Sequence, residues 1–450
     1  MARASDPEAA RMAATWIVKR LRENGHTAYF AGGCVRDGLL GLHPTDYDVA
    51  TDATPARVRG VFARTAEVGA AFGVVLVHVG PGDLGAGARQ HQPPPGALVS
   101  VEVATFRSDG PYTDARRPDS VRYSNPESDA QRRDFTINAL FLDPLAPADE
   151  PSRLLHGDVH GRIIDFVGGV EDLKRRVVRA VGSAETRLAE DHLRALRAVR
   201  FASRLGFELE PQTATAITRH AGALRGVSRE RIGQELRRML AHPSRPVALA
   251  MLQRLGLDEP VLAEAGVNAP LRVLAGMPAK TTHLAALAAW VLDRETARVG
   301  GPSGMAVLSD AAVKEVAQRL RGGLCLSNDE DEELRAILGC VRDLVERWSG
   351  MRISQRKRLA ARSVFGSCLD IVRAVQPTVA SGIAANVGEM ARDGIGVNPP
   401  ALVTGDDLVA AGMKPNPQFK RILDEVRDAQ LEGRVRGKTA GLELARRLCV

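Results

Sequence analysis

Residues 31–37 read Ala31-Gly32-Gly33-Cys34-Val35-Arg36-Asp37, and after eight intervening residues the chain continues Asp46-Tyr47-Asp48-Val49. The apolar run Ala28–Ala31 predicts a short strand, the adjacent glycines a turn, and the residues through Leu40 a short helix. Two glycines after a strand let backbone N–H groups approach a phosphate closely. Arg36, on the helix that follows, can reach the same phosphates. A second strand is expected at Tyr47–Ala50. Side chains alternate along a strand, so Asp46 and Asp48 are expected on one face. Two hard oxygen ligands there suit Mg²⁺, which binds through a couple of carboxylates plus substrate phosphates. Metals so held stabilise the attacking and leaving oxygens of an in-line displacement at phosphorus. Taken singly, D-x-D is commonly a solvated strand face and G-G commonly just a turn. Their succession within twenty residues is far more specific.

Around this stretch the chain alternates helix and strand. Residues 8–24 have helical spacing (Ala13, Ile17, Leu21), and Gly25 stands where a helix-ending glycine belongs. Thr54-Pro55 opens another helix as cap and first-turn proline. Gly73–Val79 and Val99–Phe106 predict a strand pair, and the Gly/Pro-rich residues 81–96 between them an exposed loop. After a strand at Arg162–Phe166 the β signal fades, and from about residue 183 the chain reads as helices. Turn signals at 242–246, 300–304 and 397–400 divide that part. The expectation is an α+β head followed by a long all-helical arm.

The chain has 450 residues, 44% hydrophobic and 26% charged, enough for several domains with real cores. The net charge of +7 points to an anionic partner. Arg outnumbers Lys by 53 to 8; base composition of the gene accounts for much of this, and clusters carry the functional signal. Arg makes fork-like contacts to phosphates and base edges. Five scattered cysteines without a C-x-x-C pair exclude a disulfide scaffold and a Cys-type zinc site, and fit a reducing cytoplasm. The first residues read as an amphipathic helix and not as a secretory signal. The longest apolar run, Leu284–Leu292, is far short of the roughly 20 residues of a membrane span. With 4% aromatics, stacking platforms for single strands cannot be numerous.

Three further segments carry chemistry. Arg132-Arg133-Asp134-Phe135-Thr136-Ile137-Asn138-Ala139 offers Arg, Asp and Asn to a triphosphate, a ribose hydroxyl and a metal-bound water; a charged helix start with Asp134 near its cap is the plain alternative. Val101–Arg107 alternates, and Glu102 can fall beside the D-x-D strand as a third carboxylate or as an inward salt-bridged residue. In Glu190-Asp191-His-Leu-Arg194-Ala-Leu-Arg197-Ala-Val-Arg200-Phe201, Asp191, Arg194, Arg197 and Arg200 recur every third residue along one expected helix face. A solvated salt-bridge face would alternate in sign, and three Arg against one Asp does so poorly. Asp accepts from an exocyclic amine and Arg donates to ring nitrogens and carbonyls. Cytosine and adenine both present an amine beside an acceptor.

The order GG-x-V-R-D, D-x-D, R-R-D-F-T-I-N-A, Asp172-Leu-Lys-Arg-Arg-Val-Val-Arg179 and E-D-x-x-R-x-x-R resembles the class II tRNA nucleotidyltransferases (CCA-adding enzymes) and bacterial poly(A) polymerases. Ser228–Glu235 resembles the family's next motif, and Thr404–Leu408 through Lys414-Pro415 and Gln430-Leu431 its C-terminal segment. Coverage is strong over about 28–240 and weaker over 400–450. The resemblance implies a polymerase-β-type nucleotidyltransferase head with a small mixed sheet (1–182), a base-reading neck (183–240), a helical body (241–360) and a tRNA-binding helical tail (361–450). It implies Mg²⁺ on Asp46 and Asp48, with Gly33 and Arg36 on the nucleotide phosphates. It also implies Arg132, Arg133, Asp134 and Asn138 around the nucleotide, Asp191 and Arg194 as the base-reading pair, and Arg197 and Arg200 beside the phosphates. The loop Asp109–Asp114 stands where the family keeps a flexible element. The expected activity is addition of CCA, or part of it, to the 3′ end and acceptor arm of tRNA from CTP and ATP, in the cytoplasm. A poly(A) polymerase is the nearest rival, disfavoured by residues 68–75, and a non-catalytic RNA-binding protein is a third reading, against which the intact D-x-D argues.

Overall fold

The computed structural model describes residues 6–67, 73–84, 98–110, 120–149, 160–299, 307–415 and 417–449. Helix α1 (Pro7–Glu23) starts where the Asp6 carboxylate accepts the Glu8 N–H at 3.1 Å, and it buries a stripe from Ala9 to Leu21. Then follow β1 (Ala28–Ala31), α2 (Gly33–Leu39), β2 (Asp48–Thr51), α3 (Pro55–Val61), β3 (Thr65–Glu67), β4 (Val74–Val79) and β5 (Val99–Thr105). A hairpin of β6 (Arg107–Asp109) and β7 (Val121–Tyr123) leads to α4 (Pro126–Gln131), β8 (Phe141–Asp143), β9 (Arg162–Ile164) and α5 (Gly169–Arg175). After β10 (Val177–Val178) come α6 (Ala184–Glu190), α7 (Arg194–Leu205), β11 (Glu208–Leu209) and α8 (Pro211–His220).

Seven strands form one mixed sheet in the order β3-β4-β5-β2-β1-β8-β9, antiparallel throughout except for the parallel β2–β5 pair. Alternation along β5 buries Val99, Val101 and Val103 and leaves Ser100 and Glu102 outward. Ala31, Ala50, Phe106, Ala139 and Phe141 pack in one core cluster, with the Phe106 and Phe141 rings edge to face at 5.7 Å. The β signal does not end at Phe166: β10 and β11 pair in parallel, brought together by the fold and invisible as two-residue strands in the sequence.

Contacts divide the chain into two compact units, Met1–Val227 with Leu255–Pro260, and Ser228–Arg254 with Val261–Val450. The first holds the sheet. The second is helical among its described residues. Its apolar run Leu284–Leu292 is the buried first part of a helix, His283–Val299. Gly233, in the Ser228–Glu235 motif, lets the Arg229–Ala241 helix touch backbone, since a Cβ there would lie 2.2 Å from the Leu324 carbonyl oxygen. Toward the C-terminus, Val403, Leu408, Ile422, Val426 and Ala445 form a separate small core, with Thr404 and Asp407 capping the Gly405–Ala410 helix reciprocally. Among the described residues no helix is long and apolar enough to cross a membrane. Residues 68–72, most of the expected loop at 81–96, and Pro111–Asp114 of the expected flexible element lie outside the described residues.

Candidate active site

Sheet register assembles one end of the first unit. β1 pairs with β2 so that Ala31 faces Asp48, and with β8 so that Ala31 faces Phe141. The glycine turn after Ala31 therefore lies between Asp48 and the Arg132–Ala139 segment that feeds β8. Val49 lies opposite Val103 in the parallel pair, which sets Glu102 beside Asp48 on one face. Gly32 has φ 75° and ψ −123°, a conformation glycine alone adopts readily. Its N–H donates to the Leu140 carbonyl at 3.0 Å, and a Cβ there would stand 3.0 Å from Arg133 Nη1.

The acidic pair is arranged differently from the expected strand. β2 begins at Asp48, so Asp46 precedes it and Tyr47 is not a strand residue. The ladder ends there because Gly32 turns β1 away, leaving Tyr47 and Asp46 nothing to pair with. Both aspartates are exposed residues. The Asp48 carboxyl is nonetheless crowded by protein, as on the wall of an open cleft. That loss of hydration, then the charges of Glu102 and Asp46, push it up to about 6 against the opposing pull of Arg133. Among the described residues, no three His, Cys, Asp or Glu side chains converge to hold a metal ion. A crowded pair of carboxylates does fit Mg²⁺, whose shell substrate phosphates and water complete.

Behind this acidic edge runs a chain of anchored arginines. Arg36 is 3% exposed rather than reaching outward. Its Nε donates to Asp37 at 2.7 Å and its Nη1 to the Asn138 side-chain oxygen. Asn138 Nδ2 donates to Asp134 at 3.1 Å, and Asp134 takes Arg197 Nε at 2.8 Å. Arg204 closes the other end on Asp37 at 3.2 Å. Asp134 is thus an ion-paired buried group and not the cap of a helix; only a 3₁₀ turn, Thr136–Asn138, follows it. Burial would raise its carboxyl, but Arg197 and the hydrogen bonds from Asn138 hold it below the usual range. The guanidinium carbons of Arg36, Arg197 and Arg200 lie 5.0, 5.4 and 4.2 Å from the centre of the Phe201 ring. The Asp172 motif supports the 3₁₀ turn from below: Thr136 Oγ1 donates to Asp172 at 2.6 Å, and Arg179 Nε to the same carboxylate at 3.0 Å.

Asp191 and Arg194 do not share a helix. α6 ends at Glu190, Asp191 has φ −150°, and α7 starts at Arg194. The Asp191 carboxylate accepts the Leu193 N–H at 3.1 Å, a local bond that competes with helix continuation. Arg194 is buried. Its Nη1 donates to Glu190 at 2.6 Å and to the Arg187 carbonyl at 2.7 Å, and its Nη2 to the Arg132 carbonyl at 3.3 Å. Among the described residues, Nε–H and one Nη2–H carry no hydrogen bond. Sequence reasoning missed Asp129 and the Phe201 ring, and gave Asp37 no role. Asp129 stands three and four residues before Arg132 and Arg133, the spacing of helical ion pairs, and that signal was available.

A mixed sheet with a glycine turn, an acidic strand start and a third carboxylate at one end defines a nucleotidyltransferase head of the polymerase-β type. The family profile described as "Poly A polymerase head domain" matches residues 28–179, and the one described as "Probable RNA and SrmB- binding site of polymerase A" matches 206–265. The CCA-adding enzyme of Geobacillus stearothermophilus is 41% identical over 276 residues, 61% of this chain and 57% of that protein; the match thus spans little more than half the relative's length. That of Limosilactobacillus fermentum is 31% identical over 428 residues, 93% of this chain and 92% of that protein. The crystal structure of the Bacillus stearothermophilus CCA-adding enzyme in complex with CTP superposes with a TM-score of 0.71 at 28% identity, covering 97% of each chain. The chain belongs to the CCA-adding enzyme family.

Proposed function

We propose that the chain adds CCA, or part of it, to tRNA 3′ ends from CTP and ATP, releasing pyrophosphate. The observation that carries this reading is the register that sets Asp48, Glu102, the glycine turn and the Arg132–Asn138 segment side by side. A relative named for CCA addition, similar over 92% of its length, supports it. The head (1–182) carries the chemistry, the neck (183–240) reads the base, and the body (241–360) and tail (361–450) hold tRNA. In the reaction the terminal hydroxyl of tRNA attacks the nucleotide α-phosphate and pyrophosphate leaves. Asp46 and Asp48 would hold a divalent ion, Mg²⁺ by the hardness of their oxygens, and it supplies electrostatic stabilisation to both oxygens of the displacement. Gly33, after the buried turn at Gly32, leaves the backbone open to the phosphates. Arg133 presents its charge toward Asp48, and Arg197 and Arg200 present theirs around Phe201. Arg36 acts on that field through Asn138. Asp191 and the two remaining donors of Arg194 read the base edge, accepting an amine and donating to its neighbours.

The deciding experiment incubates purified protein and Mg²⁺ with tRNA lacking its 3′ end, given CTP, ATP or both, with products sized on a gel. Extension by CCA, or by part of it, on tRNA is expected. A long tail from ATP alone on any RNA would make it a poly(A) polymerase, and no extension would make it a binding protein.

A further inference from the structure

Asp129, in the last turn of α4, stands just before the Arg132–Ala139 segment. It is 2% exposed, and both of its oxygens are engaged by arginine. Oδ1 accepts from Arg132 Nε at 2.9 Å and Nη2 at 2.6 Å. Oδ2 accepts from Arg133 Nε at 3.1 Å and Nη2 at 3.0 Å. Burial would raise this carboxyl, but the guanidiniums of Arg133 and Arg132 outweigh it and hold it below the ordinary range. One buried carboxylate thus fixes two adjacent arginines, each by a fork of two donors on its own oxygen.

The two arginines then point to different places. Arg132 turns to the hairpin: its Nε also donates to the Arg107 carbonyl at 3.1 Å, and its Nη1 lies 3.7 Å from Asp109 Oδ2. The Arg107 N–H reaches back to Asp129 Oδ1 at 3.4 Å. Arg133 turns to the glycine turn. Its Nη1 donates to the Asn138 carbonyl at 3.0 Å and its guanidinium carbon lies 4.9 Å from the centre of the Phe141 ring. Without Asp129, the Arg133 guanidinium would keep a single fixed donor and could swing about it.

We propose that Asp129 is a positioning residue for nucleotide binding: it locks Arg133 against the glycine turn and, through Arg132, ties that lock to the β6–β7 hairpin. The proposal rests on the nucleotidyltransferase reading of the same site. Asp129 itself touches no substrate, so all of its effect must pass through the arginines.

The test is a double-mutant cycle of Asp129→Asn, Arg133→Ala and the two combined, measuring kcat and KM for CTP and ATP on tRNA, with thermal melting of each variant. Losing one charge-assisted fork predicts a rise in nucleotide KM of about tenfold or more for each single variant, with a smaller change in kcat. The combined variant is expected within about twofold of Arg133→Ala alone, since removing the anchor of an absent side chain costs little. Arg133→Lys keeps the charge and the fold but loses the fork, and is expected to raise KM likewise without moving the melting temperature. Multiplied effects in the double variant would overturn the proposal, as would a loss in Asp129→Asn that only tracks its folded fraction. An unaltered KM in Arg133→Lys would also overturn it. If the parent chain extends no tRNA, the proposed function fails on its own; equilibrium CTP binding by the same proteins then runs the cycle, so the two failures are told apart.

Discussion

Arg194 is expected to carry stability as well as selectivity, and Arg194→Ala separates the two. The ion pair with Glu190 is 2.6 Å long between side chains 10% and 16% exposed. Breaking a buried pair costs about 3–5 kcal/mol when it orphans a charge. Glu190 keeps a second partner here, Arg187 Nη2 at 2.7 Å, so the charge stays compensated. The carbonyls of Arg187 and Arg132 lose a donor, about 1 kcal/mol or more each where water does not replace it. The sum is about 2–3 kcal/mol of destabilisation, confined to the first unit. A global denaturation curve would blur this, because two units need not unfold together. Trp16 is in the first unit and Trp290 and Trp348 in the second. In protein labelled with 5-fluorotryptophan, the Trp16 resonance should move to lower urea by about 1 M with its slope unchanged, while the other two stay. Equal midpoints for Arg194→Ala and the parent would refute the buried tie and return Arg194 to a plain surface pair, worth at most about 1 kcal/mol.

Three other outcomes are expected. Asp46→Ala and Asp48→Ala should each abolish incorporation with an unchanged far-UV spectrum, since both are exposed and carry no core packing; near-normal turnover with Mg²⁺ in either would sink the metal assignment. Asp191→Ala should lower use of CTP and ATP and relax exclusion of UTP and GTP by about 1–3 kcal/mol, read as kcat/KM for the four nucleotides; one common factor for all four would mean a structural role. In the second unit, burial pushes the Asp293 carboxyl up to about 6, although it accepts the Val273 and Leu274 N–H groups at 2.8 and 3.0 Å. A raised carboxyl binds its proton more tightly folded than unfolded, so stability is lost as pH rises through that window. Relative to the parent, Asp293→Asn should gain about 1–3 kcal/mol between about pH 4 and pH 7 in urea titrations followed at the second unit's tryptophans; parallel curves would count against it.

How far the site could be read from sequence follows from the range of each interaction. The glycine turn, the acidic pair and the first strands were legible because turns and alternation are local. The position of Asp46 was not, because it depends on where β1 ends, and a partner strand's length is absent from the segment that pairs with it. The same holds for Asp191. A three-residue repeat draws one helix through it, yet α6 ends first, where the Asp191 side chain accepts the Leu193 N–H. In sequence Glu102 fits a ligand and a salt-bridged residue equally; the parallel register sets it beside Asp48 and explains part of that carboxyl's shift. Least legible were the long-range pairs. Asp134 and Arg197 lie 63 residues apart, Asp37 and Arg204 167, and nothing in either neighbourhood names the other.

Those pairs also bear on what the arginine surplus does. A flexible guanidinium that first meets a phosphate in the reaction must lose its rotamer freedom then, which subtracts from binding. Here Arg36 is fixed by Asp37 and Asn138, Arg132 and Arg133 by Asp129, Arg194 by Glu190 and Arg197 by Asp134. Their positions are set on folding, and in the proposed reaction the field they make would need no rearrangement when charge develops on a phosphate. The same anchoring carries a cost: a carboxylate as buried as Asp129 would be strongly destabilising without its arginines. Substitutions that remove a charge from this ladder are therefore expected to couple fold and activity. The exposed acidic edge at Asp46 and Asp48 should separate them, because its charges are crowded in the protein alone and relieved only by what binds there.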